Sequence, residues 1–186
     1  MAPPRIISGK YKGLRLQSVP GSITRPVTDR VKEALFNIIG ADIVGANFLD
    51  LFGGTGSIGI EAISRGAELV FFIEKNYSAY KVLSKNLSLL NTSENFQLLY
   101  GDAFNFISRG FPVKFDYIYV APPQFRGMWK DMLLLIDANI NILSPNAWVI
   151  AQIAPKEYEE IDLTVLKEFD QRNYGNTCLV FFIYYG

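Results

Sequence analysis

Short apolar runs alternate along the chain with longer stretches in which apolar residues return every three or four positions. The first such stretch is "RPVTDRVKEALFNII", residues 25–39. It predicts a helix with Val31, Ala34, Leu35 and Ile38 on one face and Thr28 or Asp29 as its cap. From residue 47 the alternation becomes regular. "NFLDLF" reads as a strand stopped by the glycines of "GGTGSIG", and "SIGIEAISRG" as the helix that follows, ending near Gly66. "LVFFIE", "FQLLYGD", "FDYIYVAPP" and "AWVIAQIAP" are four more strands, while "YSAYKVLSKNLSLLN" and "GMWKDMLLLIDANINIL" are helices. In the tail, "LTVLKEF" and "TCLVFFIYYG" read as an antiparallel pair. Continuously apolar strands separated by helices predict an α/β fold whose mostly parallel sheet is covered on both faces. Right-handed crossovers make such a sheet doubly wound.

Before this domain, residues 1–24 hold Pro3, Pro4, Gly9, Gly13, Pro20 and Gly21. They read as a basic arm, or a small hairpin around "SGKYKG", ahead of a main domain at residues 25–186. The 186 residues, 49% of them hydrophobic, suit one globular domain with a full core. No apolar run approaches the ~20 residues of a membrane span. The start, "MAPPRIISGK", lacks the apolar segment of a secretory signal. One cysteine, Cys178, permits no internal disulfide. A soluble cytoplasmic protein is expected, or one of an organelle stroma if a transit peptide was removed.

Histidine is absent. That excludes His-dependent triads, His general bases and His-ligated metals together, and no metal is expected. Charge adds a direction. Residues 1–32 carry Arg5, Lys10, Lys12, Arg15, Arg25, Arg30 and Lys32 against Asp29, a net +6, while the remainder carries 11 basic and 17 acidic groups, a net −6. A basic segment on an acidic body suggests contact with a polyanion.

In "FLDLFGGTGSIGIE", Gly54, Gly56 and Gly59 spell G-x-G-x-x-G between a strand and a helix. Such a loop brings backbone N–H groups close to a pyrophosphate, or admits another nucleoside-bearing ligand. Asp50, just before the loop, would repel a pyrophosphate but suits an ammonium group. Glu74 closes the second strand, where a carboxylate can accept from ribose hydroxyls. Asp102 closes the third, within reach of an adenine amine. Three acids at successive strand ends fit S-adenosylmethionine, which carries a cationic amino acid, a ribose and an adenine. Tyr77 and Lys81 also show the Tyr-x-x-x-Lys spacing of short-chain dehydrogenases, but directly after the second strand and on one helix turn, as on an ordinary surface face.

At these residues the chain resembles the small-subunit rRNA guanine-N2 methyltransferases of the RsmD type. The resemblance runs from about Arg5 to Ala151 and is carried by "RIISGKYKGLRL", "TRPVTDRVKEALFNII", "LDLFGGTGSIGIEAISRGA" and "FDYIYVAPPQFRG"; the C-terminal 35 residues carry little of it. It implies a Rossmann-like class I S-adenosylmethionine-dependent methyltransferase fold, with a seven-stranded sheet and an antiparallel C-terminal strand. It implies methyl transfer to the exocyclic amine of a guanine, in small-subunit ribosomal RNA or an assembling 30S particle, by a monomer. It places Asp50, Phe52, Gly54, Gly56, Glu74, Asp102 and Ala103 around the cofactor. It sets Arg25 and Thr28 over the active site, with Thr28 also touching the cofactor. Arg5, Lys10, Lys12, Arg15, Arg25 and Arg30 would grip RNA phosphates, with Arg126 a further contact.

The expected catalytic turn is Ala121, Pro122, Pro123, Gln124 and Phe125. A guanine N2 lone pair is delocalised, so fixed acceptors for its N–H groups favour the nucleophilic, pyramidal nitrogen. Proline-stiffened carbonyls are such acceptors, and an aromatic after them can stack on an extruded base. Related amino methyltransferases read Asp or Asn, Pro, Pro, aromatic. Here Ala121 replaces the acid, Gln124 holds the aromatic's position, and Phe125 follows one place later. Two other readings stay open: an RNA-binding or ribosome-assembly protein that kept the fold with weakened chemistry, and a DNA amino methyltransferase.

Overall fold

The computed structural model describes residues 3–19, 27–91 and 95–186, so Arg25 lies outside the described residues. Seven strands form one sheet: β1 (Asn47–Asp50), β2 (Leu69–Glu74), β3 (Phe96–Tyr100), β4 (Phe115–Val120), β5 (Leu143–Ile153), β6 (Leu166–Tyr174) and β7 (Thr177–Tyr184). Their order is β3-β2-β1-β4-β5-β7-β6, and β7 alone runs opposite to the other six strands. This is the Rossmann-like class I methyltransferase sheet. The strand order reverses between β1 and β4, and doubly wound sheets bind ligands outside the carboxyl ends at that reversal.

The helices are α1 (Asp29–Ile39), α2 (Ser57–Ser64), α3 (Tyr77–Leu87), α4 (Ala103–Arg109) and α5 (Met128–Asp137). One apolar layer joins the sheet to α4 and α5 through Ile107, Trp129, Met132, Leu133 and Ile136. The other joins it to α1, α2 and α3 through Leu35, Phe36, Ile58, Ile63 and Leu83. Trp129 is therefore a core ring.

Several boundaries differ from the sequence expectation, each for a local reason. The buried face of α1 is Val31, Lys32, Leu35, Phe36 and Ile39, rotated from the expected stripe, because Phe36 lies against Phe48 and Lys32 is drawn inward by Glu61. The third strand ends at Tyr100, and Asp102 instead caps α4, a seven-residue helix too short to show a period. The expected helix over 127–143 stops at Asp137: the Asn139 side chain donates to the Leu135 carbonyl at 2.7 Å, and β5 already begins at Leu143. Asp137 accepts from the backbone of Thr164, Val165 and Leu166, which delays β6 to Leu166.

Residues 3–19 contain a hairpin. Arg5 and Arg15 pair antiparallel, Ile6 N donates to the Leu14 carbonyl at 2.9 Å, and Leu16 N donates to the Pro4 carbonyl at 2.7 Å. Ile6 and Leu16 are buried in the same apolar layer as α1 and α2. Polar side chains fasten the hairpin to the body. Glu61 accepts from Ile7 N and Ser8 N, Ser64 Oγ accepts from Tyr11 N, and Asn86 exchanges bonds with the backbone of Gln17. Gly9 sits so close to α2 that a Cβ there would lie 1.8 Å from the Ser64 carbonyl oxygen.

Candidate cofactor and acceptor site

The carboxyl ends of β1 to β4 gather most of the predicted residues. Asp50 ends β1 and is 2% exposed. Backbone N–H groups of Gly59 and Phe52 point at its carboxylate, yet Oδ1 is buried without a hydrogen-bond partner. Burial raises its pKa from 3.8 to about 7, the Gly59 and Phe52 bonds oppose the rise, and the charge of Glu74 adds to it. A buried carboxylate oxygen with no partner is costly, so a cation or donor arriving there is favoured. Beside it in register stands Tyr119, whose hydroxyl donates to Gln152 and whose pKa burial pushes well above 10.0.

The glycine loop is tied to β2. Gly53 N donates to the Ile73 carbonyl at 2.8 Å, and Gly54 N donates to Glu74 Oε2 at 2.8 Å. Glu74 Oε1 accepts from Asn76 N at 2.6 Å. Each carboxylate oxygen has a second lone pair, so Glu74 can hold the loop and still accept from a diol. Gly56 starts α2 and donates to the Gly53 carbonyl at 2.7 Å. Gly59 permits close contact: a Cβ there would lie 2.1 Å from Phe72 Cε1. Phe52 is half-buried against the core on the α4 and α5 side of the sheet.

At the third strand, Gly101 N donates to the Glu74 carbonyl at 3.0 Å, which brings Asp102 alongside. Asp102 Oδ1 accepts from Phe104 N at 3.0 Å, and Oδ2 pairs with Lys75 Nζ at 2.6 Å. The Lys75 contact holds its pKa below the usual carboxylate value. Ala103 is buried as the first residue of α4. Thr28 caps α1, its Oγ1 accepting from Val31 N. One turn on, Lys32 Nζ donates to Ser57 Oγ at 3.1 Å, so this end of α1 adjoins the start of α2, next to the glycine loop.

The turn after β4 runs from half-buried Ala121 and buried Pro122 to exposed Pro123, Gln124, Phe125 and Arg126. Phe125 is 68% exposed with φ 60°, a left-handed conformation uncommon for an aromatic residue. Glu157 holds it there: Oε1 accepts from Phe125 N at 2.5 Å and Oε2 from Ala154 N at 3.0 Å. Sequence reasoning missed Glu157. Its trace is Pro155 opening a helical turn that carries the glutamate, which is a weak signal. Also missed was the buried set of Lys32, Glu61 and Ser57, with half-buried Arg65 beside it, where Nζ of Lys32 lies 3.5 Å from Glu61.

The basic residues split. Arg5 pairs with Asp29 at 2.7 Å on the surface, and Lys32 is buried. Lys12, Arg15, Arg30 and Arg126 are exposed, and Lys10 Nζ stands over the Tyr11 ring at 5.4 Å. Two concavities lie away from this edge. One of about 400 Å³ touches Asp42, Asp116 and Trp148; one of about 580 Å³ touches Tyr158, Glu168 and Gln171. Neither includes the acids at the strand ends. Among the described residues no cluster of acids and cysteine can hold a metal ion, and no helix is long and apolar enough to cross a membrane.

This arrangement matches a known family over nearly the whole chain. The family described as conserved hypothetical protein 95 matches residues 4–183. The ribosomal RNA small subunit methyltransferase D of Escherichia coli strain K12 is 36% identical over 146 residues, covering 78% of this chain and 69% of the relative. The chain belongs to this ribosomal RNA methyltransferase family. The family match extends into the C-terminal residues, which hold β7, an interior strand of the sheet. The solved structure of yhhF from Escherichia coli, at 28% identity, superposes with a TM-score of 0.87 and covers 98% of each chain. An RNA methyltransferase from Salinibacter ruber, solved with S-adenosyl-L-homocysteine, shares the fold at 14% identity. Its TM-score is 0.62, over 86% of this chain and 94% of its own.

Proposed function

We propose that the chain transfers a methyl group from S-adenosylmethionine to the exocyclic N2 amine of a guanine in small-subunit ribosomal RNA. The observation that carries this reading is the buried, partnerless Oδ1 of Asp50 beside the glycine loop, one strand from Glu74. A pyrophosphate would meet a carboxylate there, whereas an α-ammonium would meet a partner. Glu74 accepts from the ribose, and Asp102 with Ala103 borders the adenine. Phe52, Gly54, Gly56 and Thr28 complete the enclosure. The cofactor supplies an electrophilic methyl on a sulfonium.

The rest of the chemistry falls to the chain. The carbonyls of Ala121 and Pro122 hold the amine N–H groups, and neither Pro122 nor Pro123 has a backbone donor to compete for them. Phe125, presented by Glu157, stacks on the base, and Gln124 supplies an additional side-chain acceptor. Exposed Lys12, Arg15, Arg30 and Arg126, with Arg5, Lys10 and Arg25, engage phosphates, so RNA affinity falls steeply with salt. The enzyme acts as a monomer in the cytoplasm, on free RNA or an assembling 30S particle. The relatives reported above are bacterial, and none points to an organelle.

The test is labelled methyl transfer to small-subunit RNA, naked and ribosome-bound, with the modified nucleotide identified by mass spectrometry. N2-methylguanine supports the reading, and another methylated base overturns it. Adenosylhomocysteine binding without any turnover favours the weakened, RNA-binding alternative that Ala121 suggests.

A further inference from the structure

Three tyrosines crowd the rim of this edge. Tyr77 and Tyr80 lie on α3 and Tyr100 ends β3, paired in register with Glu74. Their ring centroids are 5.2 to 6.5 Å apart: Tyr77 lies nearly parallel to Tyr80, and Tyr100 meets both edge-on. Tyr77 is 57% exposed and Tyr100 54%, so the packed rings still offer open faces. Mutual packing holds rings in place without burying them, which suits a stacking platform.

Charge continues the feature along the helix. Tyr77, Lys81 and Lys85 recur at four-residue spacing on one face, and both lysines are exposed. Lys81 Nζ lies 5.1 Å from the Tyr77 ring centroid. From 75 to 91 the sequence has Lys75, Lys81 and Lys85 and no acid, although residues 33–186 carry a net −6. The hairpin adjoins the far end of the helix. Asn86 bonds the Gln17 backbone at 2.7 Å, and Asn91 N donates to the Tyr11 hydroxyl at 3.0 Å. The hairpin thus meets the C-terminal end of α3, and the exposed Lys85, Lys81 and Tyr77 lead from there along the helix toward Tyr100 at the end of β3, where Lys75 pairs with Asp102.

We propose that the exposed face of α3, together with Tyr100, binds single-stranded RNA, with unpaired bases stacked on Tyr77 and Tyr100 and the adjoining phosphates held by Lys81 and Lys85. The proposal rests on the RNA-substrate reading above and adds a second contact surface, distinct from the acceptor turn. Stacking accepts any base, so this surface places the strand and leaves the choice of nucleotide to the turn after β4.

The probe is a short fluorescein-labelled single-stranded RNA of mixed sequence, with a version carrying abasic positions, followed by anisotropy over about 50–200 mM salt. Tyr77→Ser with Tyr100→Ser removes two stacking faces and is expected to weaken binding at least about 30-fold with the salt dependence unchanged, and to make little difference to the abasic probe. Lys81→Ala with Lys85→Ala is expected to lower the slope of log affinity against log salt by about 0.7 per lysine on both probes. Adenosylhomocysteine calorimetry checks that each variant keeps its cofactor edge; should the tyrosine pair lose it, the lysine pair decides. Affinity within twofold of the native protein, with an unchanged slope, overturns the proposal. So does a concentration-dependent dimer that the tyrosine substitutions abolish while RNA binding persists. RNA binding that responds as expected without methyl transfer to ribosomal RNA would sink the substrate reading and leave this surface standing.

Discussion

Replacing Asp50 by Asn keeps the shape of the side chain and removes its charge. Folded Asp50 holds its proton to about pH 7, against 3.8 for the exposed group. Between those values the folded state binds more protons than the unfolded one, so stability falls as pH rises through the window. The whole shift corresponds to roughly 4 kcal/mol, of which roughly 2.5 is lost between pH 5 and pH 8. Urea unfolding at the two pH values should show that loss in the native protein and its absence in Asp50→Asn. The variant should accordingly be the more stable protein at pH 8. Ligand binding should move the other way, because only the ionised carboxylate attracts an ammonium. Adenosylhomocysteine, measured by calorimetry, should bind Asp50→Asn about 10- to 150-fold more weakly at pH 8, the worth of one hydrogen bond to a charged group. Native affinity should decline as pH falls below 7, and proton release should accompany binding there. Native stability and affinity both flat from pH 5 to 8, or an Asn variant that binds like the native protein at pH 8, would refute the assignment.

Other substitutions test the remaining parts. Gly59→Ala forces a methyl against the buried Phe72 ring and should cost about 1–3 kcal/mol in urea unfolding. Lys32→Ala removes one of the two cations beside the buried Glu61, which keeps Arg65 at 2.9 Å, and takes the donor from Ser57 Oγ; it should cost about 1–3 kcal/mol in urea unfolding, with faster amide exchange at Ile7 and Ser8 as the hairpin loosens. Glu157→Ala removes the anchor of the Phe125 backbone and should raise KM for RNA while leaving adenosylhomocysteine affinity unchanged. Ala121→Asp restores an acceptor side chain and should leave methyl transfer unchanged or raise it; a collapse would show a turn built around alanine.

Much of this molecule was legible from residue patterns because its central strands are buried on both faces. "LVFFIE" and "FDYIYV" carry charge only near one end, at Glu74 and Asp116, and are otherwise unbroken apolar or aromatic runs, which marked them at once. The acids Asp50, Glu74 and Asp102 were legible because the doubly wound sheet sends each strand's carboxyl end to one edge. What stayed hidden depends on contacts between distant segments. Lys32 counts as a surface charge in any local reading; only α2 crossing beside it supplies Glu61 and Ser57. Glu157 reaches Phe125 across 32 residues, and no spacing rule joins the two. The α4 helix is seven residues long, less than the two full turns that a periodic pattern needs.

The position of β7 bears on how the protein is made. It lies between β5 and β6, yet it is the last of the seven strands in chain order. During synthesis, β1 to β4 and their helices can close around the glycine loop as soon as they emerge. At that stage β5 presents an open ladder on one side, and β6 has nothing to pair with. Only when residues 177–184 arrive do both gain a neighbour, with the buried Cys178 to Phe182 run sealing the seam. A nascent chain halted before β7 would thus carry a formed ligand edge beside an unprotected apolar strand, the kind of edge that recruits other chains.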